Sequence, residues 1–168
     1  MSGDAAANPW QGERRESEPA AAFDALRALK EQGFNMLVDM TAVDYSAQGR
    51  EPRFEVLYRL MKLDLQSGED RGRVELHVKV PEGAPVLRSA ASLWPIADWL
   101  EREVWDMFGI GFVDRPKIKR LLMYEEFQGH PLRKDYPITK RQPLVGPASG
   151  ERPDNPSFNA MRPTVKYE

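Results

Sequence analysis

The sequence predicts an α+β domain: an antiparallel or mixed small sheet covered by helices, followed by an extended irregular C-terminal arm. Three observations predict it. Apolar and polar residues alternate with period two in three separate stretches, the pattern of strands with one covered and one wet face. Two other stretches carry apolar residues at helical spacing. Beyond residue 137 no periodic apolar pattern remains, and Pro143, Pro147, Pro153, Pro156 and Pro163 punctuate the chain. A length of 168 residues is one domain on ordinary priors and can bury a core without disulfide or metal.

The elements follow in order. Residues 1–19 are small, polar and charged, and the composition predicts disorder. A helix is expected over 20–32, where Phe23, Leu26 and Leu29 sit three apart, alanines flank them and Gly33 supplies the stop. A first strand is expected over 35–44, with Met36, Val38, Met40 and Ala42 on one face. A second spans 53–62, placing Phe54, Val56, Tyr58 and Leu60 together. A third spans 73–80, with Val74, Leu76, Val78 and Val80 opposite Glu75, His77 and Lys79. The polar, glycine-bearing segment between the last two makes them an antiparallel hairpin with a long loop. A second helix is expected to start near Ser92 as cap, tolerate Pro95 in its first turn and end at Gly109. Its stripe toward the sheet would be Ile96, Leu100, Val104, Met107 and Phe108. The chain thus divides into a segment 1–19, a domain 20–137 and an arm 138–168 that is either disordered or docked on a partner.

Composition removes several functions. Cysteine is absent, which excludes thiolate iron–sulfur ligation, a zinc–thiolate site and a disulfide framework from this chain. The net charge of −2 gives no bulk attraction to nucleic acid or anionic lipid. Apolar runs fall far short of the roughly 20 residues that span a bilayer, and residues 1–18 lack the apolar core of a signal peptide. Any place at a membrane is expected to come through another protein. There is no phosphate loop, dinucleotide fingerprint or spaced catalytic triad.

Information about function concentrates between Glu101 and Pro137. Glu101-Arg102-Glu103, Asp106, Met107 and Phe108 lead into a basic stretch with Lys119, Leu121 and Leu122. The stretch closes on Gly129-His130-Pro131-Leu132-Arg133-Lys134-Asp135-Tyr136-Pro137. These two strings closely resemble the C subunit of the proton-translocating NADH:quinone oxidoreductase, respiratory complex I. The strong match covers about a quarter of the chain, and a weaker likeness in element order runs from about Phe23 onward. Arg115, before Pro116, stands where that family usually has His or Lys, so a cation is kept without the imidazole and no role is carried over to it.

The resemblance implies a cofactorless structural and assembly subunit in the peripheral arm of the enzyme. FMN and iron–sulfur clusters would sit in partner subunits. The neighbours would be the quinone-site subunit and iron–sulfur subunits, on the cytoplasmic side of the bacterial cell membrane. The complex would pass electrons from NADH to quinone and translocate protons. Two alternatives stand beside it: the equivalent subunit of a membrane-bound hydrogenase or ferredoxin-linked complex, and a stand-alone binding module for RNA or an acidic protein. The RNA reading would use Arg115, Lys117, Lys119, Arg120, Arg133, Lys134, Lys140 and Arg141, with Phe112, Tyr124 and Tyr136 as stacking platforms. The slight negative charge and missing RNA-motif fingerprint count against it. The alternative for the cations is to face an acidic partner surface or to pair with Glu125, Glu126 and Asp135.

The residues also carry simpler readings. Asp98, Arg102 and Asp106 are spaced as i,i+4 helix pairs, each worth about 0.2–0.5 kcal/mol. Glu103 borders the predicted apolar stripe, and a carboxylate there needs a partner, with Arg102, Arg120 or Arg133 available. The resemblance favours a structural lock that pins the following loop over proton handling by Glu103. His77 falls on the polar face of its strand and is expected to be exposed. His130, in a Gly-His-Pro turn, is expected to order its loop through a hydrogen bond, with a partner contact as the alternative; a metal site would need several more ligands. Trp94, Trp99 and Trp105 exceed what one small helix needs in a core, which suits an interface. No residue is assigned as catalytic, cofactor-binding or metal-binding.

Overall fold

The computed structural model describes residues 10–137 and Thr139. Strand β1 (Glu13–Ser17) leads into helix α1 (Ala22–Glu31), then β2 (Met36–Asp44), a 3-10 turn (Ser46–Gln48), β3 (Phe54–Leu63) and β4 (Asp70–Val80). A short strand β5 (Val86–Arg88), helix α2 (Ala97–Phe108) and strand β6 (Gly111–Val113) follow. Four strands form one mixed sheet in the order β1-β4-β3-β2. Strands β2, β3 and β4 are antiparallel neighbours, and β1 pairs parallel to β4. The β1–α1–β2 connection therefore joins the two edges of the sheet.

The alternation in the two hairpin strands places their apolar residues as the sequence predicts. Phe54, Val56, Tyr58 and Leu60 are completely buried, as are Val74, Val78 and Val80, and Leu76 is nearly so. Both helices cover this one face, with Leu26 and Leu29 from α1 and Val104, Met107 and Phe108 from α2 joining a single core. Each such side chain contributes roughly 1.5–3 kcal/mol by leaving water.

Several expectations need correction. A strand, β1, occupies Glu13–Ser17, inside the segment 1–19 for which disorder is predicted. It is held by main-chain pairing to β4, which composition does not report. In β2 the buried apolar residues are Leu37, Met40 and Ala42, while Met36 is exposed. An irregularity between Leu37 and Asp39 moves the first residues to the other face. Helix α2 starts at Ala97, not Ser92, and Ile96 precedes it with no side-chain cap. The preceding residues form turns instead, with the Leu93 and Trp94 amides bonded to Ala90. Consequently Ile96 is exposed rather than part of the stripe. The helix ends at Gly109, as predicted. The parallel ladder of β5 and β6 was not legible in the sequence. The arm 138–168 lies outside the described residues, Thr139 apart.

His77 is buried, not exposed. Its Nδ1 lies 2.8 Å from Glu55 Oε1 and its Nε2 lies 2.8 Å from Glu75 Oε2. The polar face of the sheet is thus closed by its own ion pairs, which extend to Arg59, Arg50 and Arg14.

Candidate functional site

The site gathers at the C-terminal half of α2, where two loops fold back on the helix. An α-helix ends with four carbonyls that have no partner within it. Here each of the last four is answered. The Gly109 amide donates to the Trp105 carbonyl at 2.8 Å. His130 Nδ1 lies 3.0 Å from the Asp106 carbonyl, the Leu132 amide donates to the Met107 carbonyl at 3.1 Å, and Arg133 Nε donates to the Phe108 carbonyl at 2.5 Å. A carbonyl only accepts, so His130 carries its proton on Nδ1 in this bond. Arg133 also sets a positive charge at the negative end of the helix dipole.

Two glycines make that approach possible. Gly109 has φ 74°, and a Cβ there would sit 2.6 Å from the His130 ring and 2.7 Å from Arg133. Gly129 has φ 98°, and its Cβ would press on the Tyr136 ring at 3.0 Å. Tyr136 in turn stacks on Phe127, with centroids 5.8 Å apart.

Asp106 holds the basic loop. Its side chain is fully buried. Oδ2 accepts the successive amides of Leu121, Leu122 and Met123 at 3.0, 2.8 and 2.9 Å. Oδ1 accepts from Arg120 Nη1 at 2.6 Å. Burial pushes the carboxyl up, but the Met123 amide, Arg120 and the other two amides outweigh it and hold Asp106 below the usual carboxylate range. Arg120 reaches on to the carbonyls of Phe127 and Gly129, and Arg102 donates to the carbonyls of Lys119 and Arg120 at 3.2 and 2.9 Å. Neither of the i,i+4 readings for Arg102 describes this arrangement.

Glu101 holds the other side. Its side chain is fully buried. It accepts from Ser89 Oγ at 2.8 Å, the Ala90 amide at 2.7 Å and Arg115 Nη1 at 2.6 Å. Arg115 also pairs with Asp98. Burial raises the carboxyl above its ordinary range, and the three donors oppose without cancelling it. Arg115, to which the sequence assigned no role, is therefore the guanidinium that neutralises a buried carboxylate. Glu103 is exposed, so the expectation that it borders the core and needs a buried partner is corrected. The acid in that situation is Glu101. The spacing Ala97, Glu101, Val104, Phe108 carried the signal, since all four side chains are buried on one side of α2.

The end of the Gly129–Pro137 string reaches the sheet. The Lys134 amide donates to Asp44 Oδ2 at 2.9 Å. Arg53 grips the same carboxylate through Nε at 3.0 Å and Nη2 at 2.8 Å, and also pairs with Asp135 at 3.0 Å. Burial works against the Asp44 charge, but Arg53 and the Lys134 and Ser46 amides hold its carboxyl far below the usual range. The string thus ties the end of α2 to the ends of β2 and β3. Phe108 is buried in the core, Pro131 is half-buried, and Leu132, Lys134, Asp135 and Pro137 are exposed. The cations do not pair as expected: Asp135 answers Arg53, while Arg115 and Arg120 answer acids on α2. Trp94 is core, Trp99 is half-exposed, and Trp105 meets His130 edge-on at 6.2 Å.

No group of three or more potential metal-ligating side chains occurs among the described residues. The chemistry of this arrangement is mechanical: charge-assisted bonds hold two loops on a helix end.

Comparison with known proteins points one way. The family model described as respiratory-chain NADH dehydrogenase, 30 kDa subunit, matches residues 16–142. The C subunit of NADH-quinone oxidoreductase from Citrifermentans bemidjiense is 41% identical over 127 residues, covering 74% of each chain. Its counterpart of the same name from a Roseiflexus species is 46% identical over 123 residues, covering 71% of this chain and 67% of that one. The trypsin-resistant fragment 1–134 of Nqo5 superposes with a TM-score of 0.58 at 34% identity, covering 62% of this chain and 80% of that one. A chain of the archaeal membrane-bound sulfane sulfur reductase shares the fold, with a TM-score of 0.63 at 24% identity.

Proposed function

This chain belongs to the family of the respiratory-chain NADH dehydrogenase 30 kDa subunit, the C subunit of NADH-quinone oxidoreductase, and on that premise we propose that its own task in the complex is to hold shape. In this reading it is a cofactorless scaffold of the peripheral arm. FMN and the iron–sulfur clusters reside in partner subunits, as the absence of cysteine from this chain suits. The partners are the quinone-site subunit and its iron–sulfur neighbours, and contact with the membrane runs through them on its cytoplasmic side. Among the described residues no helix is long and apolar enough to cross a membrane.

One observation carries the proposal. Five polar side chains of the family-like strings are committed to bracing: Glu101, Arg102, Asp106, His130 and Arg133 each bond a loop, a helix end or one another. A proton carrier needs a group that can gain and lose its proton at modest cost. Asp106, with three amides and a guanidinium on it, is built to stay ionised.

The bracing presents an outward surface. Trp99, Leu122 and Leu132 are more than half or about half exposed, at 54%, 57% and 50%. Arg102 lies over the Trp99 ring at 5.1 Å. Tryptophan and arginine are favoured anchors at protein interfaces. The test is a pair of variants, Trp99→Ala and Leu122→Asp. Each should reduce the complex recovered on mild-detergent native gels while leaving the melting temperature of the isolated chain unchanged. Full recovery of complex with both would remove this surface from the interface.

A further inference from the structure

Strand β1 differs from the rest of the sheet in what holds it. Its five residues, Glu-Arg-Arg-Glu-Ser, contain no apolar side chain, and none joins the core. Below it, β4 runs for eleven residues and places Val74, Leu76 and Val78 in the core. The edge that β4 turns to β1 is therefore a row of main-chain donors and acceptors backed by a buried apolar core. Such an edge is a template for another strand.

The side chains that secure β1 are almost all charged. Lys79 Nζ meets Glu16 at 2.6 Å. Arg14 lies 3.4 Å from the buried Glu55 and 3.2 Å from Glu16. Arg15 reaches Gln32 of the loop after α1 at 3.3 Å. Arg73 donates to the Trp10 carbonyl at 3.2 Å and lies over its ring at 4.8 Å. In the register, Arg14 stands opposite Glu75 and Glu16 opposite His77. Most of these charges are partly exposed, and such pairs weaken as salt screens them. The helices, by contrast, are held by apolar burial that salt does not weaken.

We propose that the outer edge of β4 is a strand-acceptor site, filled in this chain by β1 as an exchangeable, charge-latched occupant. The site selects a segment running parallel to β4, with a base facing Glu75 and Glu55 and, two residues on, an acid within reach of Lys79. The occupant is this chain's own N-terminal segment. An equivalent segment from another copy or another protein would have to present the same base–x–acid pattern.

Backbone hydrogen exchange on the full chain tests the proposal. Between low salt and about 1 M salt, where the screening length shrinks to about 3 Å, β1 amides should exchange about tenfold faster while amides buried between β3 and β4 keep their protection. Equal protection of β1 and β3 at both salt concentrations would overturn it. A second arm uses the full-length Arg14→Glu variant and a labelled peptide of residues 10–19. The variant should stay folded by circular dichroism and bind the peptide at least about tenfold more tightly than the wild type, whose edge is occupied. A peptide with Arg14 and Glu16 charge-reversed should bind neither. A folded variant that ignores the peptide, or a variant that unfolds altogether, would show β1 to be an inseparable part of the sheet and would overturn the proposal.

Discussion

Asp106 and Arg120 meet at 2.6 Å, the acid fully buried and the base nearly so, and between them they organise the chain from residue 120 to 129. The acid takes three amides of the loop and the base takes two carbonyls further on. Removing the acid leaves a buried guanidinium and three amides without their acceptor. Asp106→Ala should therefore destabilise the isolated chain by about 3–5 kcal/mol. At about 2–4 °C per kcal/mol for a chain of this size, thermal melts should show a fall of about 6–20 °C. A loss under about 1 kcal/mol would mean that the loop does not depend on this pair.

Glu101 and Glu103 should behave oppositely, although only one residue separates them. Glu101→Ala leaves Arg115 with Asp98 alone and takes the acceptor from the buried Ser89 hydroxyl and Ala90 amide, and a cost of about 3–5 kcal/mol is expected. Glu103→Ala removes an exposed carboxylate and should stay within about 0.5 kcal/mol. Urea titration of both variants checks the contrast. Equal effects would contradict the assignment of Glu101 as the buried member.

Gly109→Ala should loosen the clasp without removing a charge. The left-handed backbone conformation costs a residue with a Cβ about 1–2 kcal/mol. The added carbon would also displace His130 and Arg133, which lie within 2.7 Å of it. The expected readout is faster hydrogen exchange at the Leu132 amide, which donates to Met107.

Acid should weaken the fold in two stages. Burial, followed by the neighbouring charges of Arg133 and Arg120, lowers the His130 imidazole below its ordinary value, against the opposing bond to the Asp106 carbonyl. The unfolded chain therefore takes up a proton first, and stability begins to fall as pH drops below about 6.5. Asp44, Asp106, Glu55 and Glu75 are depressed relative to their unfolded values. Their contribution is present above about pH 4 and is lost as pH falls through the folded values. Glu101 is raised and works the other way, since protonating it relieves a buried charge. Asp44 lies far below its usual range, and the exposed Glu13, Glu16, Asp64 and Asp70 are lowered as well, so a net acid loss is expected. Urea melts across pH should show both stages in the wild type and only the lower one in His130→Gln.

What could be read from the sequence was whatever local periodicity records. Phe54 to Leu60 and Val74 to Val80 alternate cleanly, and the sheet face followed. Gly109 marked the end of α2. The family-like strings could be recognised, but the pairing within them could not. Period alone does not reveal the β2 irregularity that exposes Met36 and buries Leu37. The apolar-stripe rule puts Glu103 at the border, because it counts Ile96 as helical core. Ile96 lies before the helix and is exposed, and Ala97 starts the buried line that runs through Glu101. The partners of His77, Glu101 and Asp106 lie from 2 to 22 residues away and meet them only after folding. Local periodicity does not hold that information: it places His77 on a polar face and gives Arg115 no partner.

On the bracing proposal, the charges of α2 hold the subunit together and do not carry protons. This claim is tested most directly by replacing Glu101 with Gln in the assembled enzyme and measuring two quantities together: the amount of intact complex in the membrane and NADH-driven quinone reduction per complex. Glutamine keeps the size but gives up the ion pair with Arg115. Bracing predicts a several-fold fall in complex abundance, with the rate and proton yield of each surviving complex unchanged. Normal abundance with a large loss of rate or proton yield per complex would contradict the claim and make Glu101 a participant in the reaction.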